Sequence, residues 1–385
     1  MIELPLGFAA YVANVGVKDE TDDFVVVVAD EPVPAAGLFT RSRFAGPSVT
    51  LSRAHLADGS ARAVVVVSKN ANVANGRQGD ADATELAASV AAAIGATATD
   101  VVITSTGVIG RPYPMDRLRA GVAAMPVAPA DRDASRVATG MMTTDSHPKV
   151  AAATVDGSSA RVVGVAKGVG MIEPDMATHL SFVFTDAEVT SAELGTIFRR
   201  VVDRTFNCVS IDTDTSTSDS TVALASGHAG IVDPESLEAA MFDVCLDLTR
   251  QVARDGEGAT SLIEVVVDGA RDRRQAKLVA KTIVNSPLVK TAVHGGDPNW
   301  GRVAMAIGKC ADEHDIDQTE VVIRFGTTEV YPRQLDDDGL AALATHMAGE
   351  HVLIHVTLGT GDADATVYGC DLSTEYVRFN ADYTT

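Results

Sequence analysis

The chain has 385 residues, 46% of them hydrophobic, and a formal net charge of −21 at pH 7. That apolar content suffices for a large core, or for two domains sharing an interface. So acidic a surface disfavours nucleic acid and anionic lipid, which need a basic patch, and no apolar run of about 18 residues is available to span a bilayer; the expected partners are small molecules.

In chain order, the amino end (Met1 to Leu6) lacks the basic start and apolar stretch of a secretory signal, and a cytoplasmic protein is expected. β-Branched runs at 24–28, 63–67 and 101–104 read as strands, and the stretches 81–94 and 115–125 as helices. The Pro/Ala stretch 126–129 makes a surface connection. Runs 162–165 and 180–184 are strand-like. Thr190-Ser191-Ala192-Glu193 is a capping box opening a helix to 202, and Asp233-Pro234 supplies the N-cap and first-turn proline of a helix to 253. Strands recur at 262–267, 321–325 and 352–357. The alternation predicts a mixed α/β or α+β fold, with no repeat, no GxGxxG signature and no Walker loop.

One segment breaks the pattern. Lys167-Gly168-Val169-Gly170-Met171-Ile172-Glu173-Pro174-Asp175-Met176-Ala177-Thr178-His179 carries two glycines and a proline, which rule out a regular helix or central strand. It lies between two strand-like runs, either as a plain hairpin connection or as a functional loop held by rigid elements. A second candidate, Ser105-Thr106-Gly107-Val108-Ile109-Gly110, follows a strand with a Thr-Gly turn. Such a turn offers a hydroxyl and an accessible N–H together, as an oxyanion hole requires. The acid and hydroxyl run from Asp212 to Asp219 reads as a hydrogen-bonded structural loop, since it lacks the glycine and terminal Glu of a calcium loop. Asn285-Ser286-Pro287 and the run from His294 to Arg302, with the single Trp300, read as a pocket wall. His294 in a Ser-His-Asp set is the weaker alternative, as no GxSxG elbow accompanies it.

The four cysteines (Cys208, Cys245, Cys310, Cys370) are widely spaced and read as reduced thiols. His351 and His355 fall on one face of a strand, as an ordinary polar face or, less favourably, a metal site; no metal and no cofactor are expected.

The run from Lys167 to Thr178 resembles the signature of the ornithine acetyltransferase family, also called bifunctional glutamate N-acetyltransferase. Other segments agree in order: residues 39–44, 105–110, Met142-Thr143-Thr144-Asp145, 212–219, 255–259, 294–302 and 380–385. The resemblance covers essentially the whole chain and is nearest to the members associated with clavulanic acid biosynthesis. It implies a self-processing N-terminal-nucleophile fold of layered sheets and helices, shared with related aminopeptidases. The implied cut lies between Ala177 and Thr178, giving fragments 1–177 and 178–385 in a heterotetramer of two copies each. It further implies Thr178 as nucleophile, Thr106 and Gly107 as oxyanion hole, and Thr143, Lys167, Thr178, Glu257, Asn380 and Thr385 as substrate contacts. Val169, Asp175 and His179 depart from the usual Ser, Asn and Met of the family; the nucleophile and the cut bond do not.

The chemistry fits these residue types. A cut before Thr178 would free an α-amino group with a reference pKa of ~7.7–8.0, well below the ~10.4 of lysine. A useful fraction is then neutral at pH 7, on the same residue as the hydroxyl it activates. The expected reaction moves an acetyl group from N-acetylornithine to glutamate through an acetyl-threonine. By charge, Lys167 suits a carboxylate and Glu257 the second amine of ornithine. A self-processing amidase or aminopeptidase, a transferase with another acceptor, and a non-catalytic binding protein remain the alternatives.

Overall fold

The computed structural model of the chain describes residues 2–173, 179–333 and 335–382. Ahead of the irregular segment lie β1 (Phe8–Ala13), β2 (Phe24–Phe39), β3 (Ser60–Val67), β4 (Val101–Ser105), β5 (Lys149–Thr154) and β6 (Arg161–Lys167); after it come β7 (Leu180–Thr185) and β8 (Ser220–Ala225). Among the described residues these form one sheet in the order β4-β3-β2-β8-β7-β6-β5, with β1 paired to the free side of β2.

The 16-residue β2 organises this sheet. Its first half pairs antiparallel with β1 and β3, and its second half with β8. Between them the register with β3 breaks from Val28 to Val33, around the exposed Asp30, Glu31 and Pro32. The β-branched run read from the sequence ends at 28, ahead of Asp30-Glu31-Pro32. In the fold these residues form a bend within one strand, where proline's missing N–H is tolerated.

The bend folds the sheet over itself. Val25, Val27 and Val64 from one half share a core with Val163, Phe182 and Leu224 from the other, and the Phe8 and Phe184 rings meet at 5.2 Å. The alternate residues Phe24, Val26 and Val65 face outward onto the helices Gly76–Ile94 and Met115–Ala124. On the other half, the helices Ser191–Arg204 and Pro234–Arg254 cover the outer face. The result is four layers: helix, sheet, sheet, helix.

The helices form for legible reasons. Thr190 and Glu193 make the anticipated reciprocal cap, and Leu194, Ile197, Phe198, Val201 and Val202 then bury one stripe at helical spacing. Asp233 caps the next long helix through the Ser236 N–H. The helix expected at 81–94 starts earlier, at Gly76.

The rest of the chain adds β9 (Leu262–Ala270), β10 (Val322–Phe325), β11 (Thr328–Tyr331), β12 (His351–Thr357) and β13 (Ala363–Cys370). Among the described residues they make a second sheet in the order β11-β10-β12-β9-β13, with β9 and β12 parallel. Its apolar face carries Ile263, Val265, Val352 and Ile354 against the helices Arg273–Val284 and Trp300–Gly308. His351 and His355 share the opposite face, as the spacing implied, and their Nε2 atoms meet Glu264 and Asp268 at 2.8 Å each. The segment ahead of β8 meets the second sheet where the Ser210 N–H donates to the Tyr368 carbonyl at 2.8 Å. All four cysteines are free, and all but Cys310 are buried. No helix among the described residues is long and apolar enough to cross a membrane.

Candidate active site

Four segments from distant parts of the chain wall one cleft beside the junction of β6 and β7. The first is the turn after β4. Gly107 adopts φ +124°, and a Cβ there would lie 2.3 Å from the Lys69 carbonyl carbon, so the turn requires glycine. The neighbouring Thr106 and Val108 N–H groups donate to the Val67 and Lys69 carbonyls at 3.0 and 3.4 Å. The Gly107 N–H has no backbone acceptor among the described residues.

The second segment is the end of β6. Lys167 is buried, and its Nζ donates to Thr106 Oγ1 at 3.1 Å. A hydroxyl that accepts in this way keeps its own O–H for another partner. Burial pulls the Lys167 ammonium below its usual pKa, against the pull of the nearby Asp145. The Asp145 carboxylate takes the N–H groups of Thr143 (3.1 Å) and Gly168 (2.7 Å) and the Lys149 Nζ (2.7 Å). Burial would raise its pKa, yet Lys167 and Lys149 hold it at about 2. Asp145 thus fastens the Thr143 turn to the start of the irregular segment.

Glu257 and Asn380 form the third wall. The Glu257 N–H donates to the Val169 carbonyl at 2.9 Å, and its carboxylate accepts from Thr144 Oγ1 (3.1 Å) and Asn380 Nδ2 (2.9 Å). A Cβ on Gly170 would lie 2.7 Å from that carboxylate, which accounts for the second glycine of the segment.

The run from Asp212 to Asp219 supplies the fourth. Its first half braces the irregular segment, as Asp212 accepts the Met171 and Ile172 N–H groups at 2.7 and 2.9 Å. Reading the run as a structural loop covers this half alone. Ser216 to Asp219 line the cleft, and Asp219 is a buried carboxyl whose Oδ2 has no hydrogen-bond partner among the described residues. Burial pushes it up to about 8, with Lys167 opposing.

Of the residues expected from the sequence, Thr106, Gly107, Thr143, Lys167, Glu257 and Asn380 come together here. Ala177, Thr178 and Thr385 lie outside the described residues. The Asn285 to Arg302 run is not a wall of this cleft. Asn285 Nδ2 reaches the Glu173 carboxylate from behind, and Trp300 stacks on Tyr331 at 5.3 Å beside a separate depression. His294 Nδ1 pairs with Asp371 at 2.7 Å, and that carboxylate also holds the Thr260 and Ser261 N–H groups, so it anchors a turn. The sequence reading passed over Asp145 and Asp219, although both sit inside quoted motifs. Their signal, an acid among hydroxyls, is shared with any capped turn.

A family model described as the ArgJ family matches residues 9–385. The chain belongs to the ArgJ family. It is 54% identical to "Arginine biosynthesis bifunctional protein ArgJ 2" of Nostoc sp. and 54% identical to "Glutamate N-acetyltransferase Oat2" of Streptomyces clavuligerus. Each alignment covers 99% of this chain and 98% of the relative. A solved ArgJ from Bacillus halodurans aligns at 39% identity and a TM-score of 0.49, over 52% of this chain and 98% of that one. As an ArgJ protein the chain is an acyltransferase.

Proposed function

We propose that this ArgJ protein cuts itself between Ala177 and Thr178 and then moves the acetyl group of N-acetylornithine to glutamate by way of an acetyl ester on Thr178. The observation that carries the reading is the meeting of Thr106, Gly107 and Lys167 at one point of the cleft, directly beside the two strands that flank the expected cut. The names of the relatives, which specify arginine biosynthesis and glutamate N-acetylation, support the choice of substrates.

In this reading the Thr106 hydroxyl and the Gly107 N–H hold the oxyanion that develops on the acyl carbon, once in self-cleavage and once in each half of transfer. Lys167 keeps the Thr106 hydroxyl oriented and adds positive charge beside the oxyanion. Thr143, Glu257, Asn380 and Thr385 contact the amino-acid portions. The active unit is a cytoplasmic heterotetramer of fragments 1–177 and 178–385, two of each.

Intact mass spectrometry tests the reading. Purified protein should give two masses, corresponding to 1–177 and 178–385, and N-acetylornithine alone should add one acetyl group to the second. An intact chain with full transferase activity, or a donor-treated enzyme that transfers acetyl with no acetylated fragment, would overturn it.

A further inference from the structure

Asp219 is a carboxyl group for which the structure provides no evident occupation. It is 3% exposed, yet it lines the cleft. Among the described residues nothing hydrogen-bonds its Oδ2. The orphan oxygen is not an accident of a loose loop. The Asp219 carbonyl accepts the Thr40 N–H at 2.9 Å, and the next residue starts β8, where the Ser220 N–H donates to the His179 carbonyl at 3.0 Å. A buried acceptor without a partner is destabilising, so a rigid frame that maintains one marks a place for a group absent from the free protein.

We propose that Asp219 is a further catalytic residue of the transfer reaction, the proton carrier between the two amines. The proposal rests on the reading above. In the first half, the threonine C–O bond forms, the acetyl C–N bond breaks, and the threonine proton ends on the departing nitrogen. The Asp219 carboxylic acid adds the second proton, so that ornithine leaves as an ammonium and Asp219 remains a carboxylate. In the second half, glutamate arrives as an ammonium and passes one proton to that carboxylate. The free amine then attacks the acetyl carbon, the new C–N bond forms, and the threonine C–O bond breaks as one amine proton passes to the threonine oxygen. Asp219 ends as it began.

The surroundings suit this exchange. Lys167 is the charged group acting on Asp219, and Lys167 is itself surrounded by Asp145, Lys149 and Glu257. His179 lines the same cleft, its ring edge-on to Phe206 at 4.7 Å. Burial holds the Asp219 carboxyl far above the usual carboxylate range and towards that of amines, so it can give a proton to a departing amine and take one from an arriving ammonium.

The test uses Asp219→Asn in the full-length enzyme. Wild type and variant are acetylated with p-nitrophenyl acetate, whose leaving group needs no proton. The acetyl-enzyme is then chased with glutamate or with hydroxylamine, a nucleophile already neutral at pH 7, and loss of the acetyl mass is timed. The variant should slow the glutamate chase by roughly 10²–10⁴-fold while hydroxylamine stays within about threefold of wild type. A ratio of the two chase rates that changes by less than about tenfold overturns the role of Asp219, since a merely structural residue would move both chases together. Should Asp219→Asn fail to fold, Asp219→Ser is held to the same ratio. A wild-type enzyme that takes no acetyl group, or yields none to glutamate, overturns the acyl-enzyme reading itself.

Discussion

At the scale of single residues, the cleft is a cluster of buried charges kept apart by geometry. Thr106→Ala removes the hydroxyl that Lys167 addresses while leaving the Gly107 turn in place. It should lower kcat by about 10²–10³ with little change in KM, because the lost donor acts on the transition state; steady-state kinetics reads this, and a change confined to KM would remove the oxyanion role. The two acids respond to pH with opposite signs. Asp145 is held below its unfolded value of 3.8. Its contribution to stability is therefore present above about pH 4 and lost as pH falls towards about 2. Asp219 is held above 3.8, at about 8. The folded state then binds the extra proton, and stability declines as pH rises from about 4 to about 8. Asp219→Asn should accordingly raise Tm at pH 8.5, by on the order of a few degrees, and do so less at pH 5. Calorimetry showing an equal gain at both values would rule out ionisation as the cause.

At the scale of elements, much was legible in the sequence and some was not, for definite reasons. The capping box at Thr190 and the N-cap at Asp233 appear where local chemistry places them, because a cap is decided within four residues. Gly107 was legible as part of a turn and Gly170 as a break in regular structure, but the atoms that exclude a Cβ, at Lys69 and Glu257, come from elsewhere in the fold. β2 was misjudged because its continuation past Pro32 depends on β8, nearly 190 residues later. The segment from Asn285 to Arg302 looked like a pocket because turn residues are common to pockets and to closely spaced short helices, and here they cap the helices Pro287–His294 and Trp300–Gly308. The pairing of β7 on both sides also bears on the expected cut. β7 lies between β6 and β8, with six paired positions on each side. Fragments 1–177 and 178–385 should thus run as two bands under denaturing conditions and co-elute as one species in native size exclusion, whereas Thr178→Ala should give a single band. Separation of the wild-type fragments without denaturant would contradict the shared sheet.

At the scale of the molecule, the charge distribution limits the acetyl donor. Lys167 is the only Lys or Arg among the described residues lining the cleft, and it is buried against Thr106. Nothing in that lining cradles a pyrophosphate, which is usually held by successive backbone N–H groups at a helix N-terminus. With the net charge of −21, acetyl-CoA should be a poor donor beside N-acetylornithine, and initial rates with each donor at equal concentration decide this. Efficient acetyl-CoA use without an acetylated fragment would point to a synthase.

The placement of β7 in the interior of the sheet has one more consequence. As a single chain, the protein brings β6 and β7 together by closing a short loop, an intramolecular event whose entropic cost grows only slowly with loop length. With the proposed cut, the same pairing becomes a meeting of two molecules, and the effective concentration supplied by the tether is lost. The folded enzyme is then a state its own pieces regain poorly, and its durability is a matter of unfolding rate. After dilution from denaturant, uncut Thr178→Ala should refold with a yield nearly independent of protein concentration. The processed wild type should recover less, and more of it as concentration rises. Equal, concentration-independent recovery of both would mean that no meeting of separate fragments limits refolding, and would overturn this consequence.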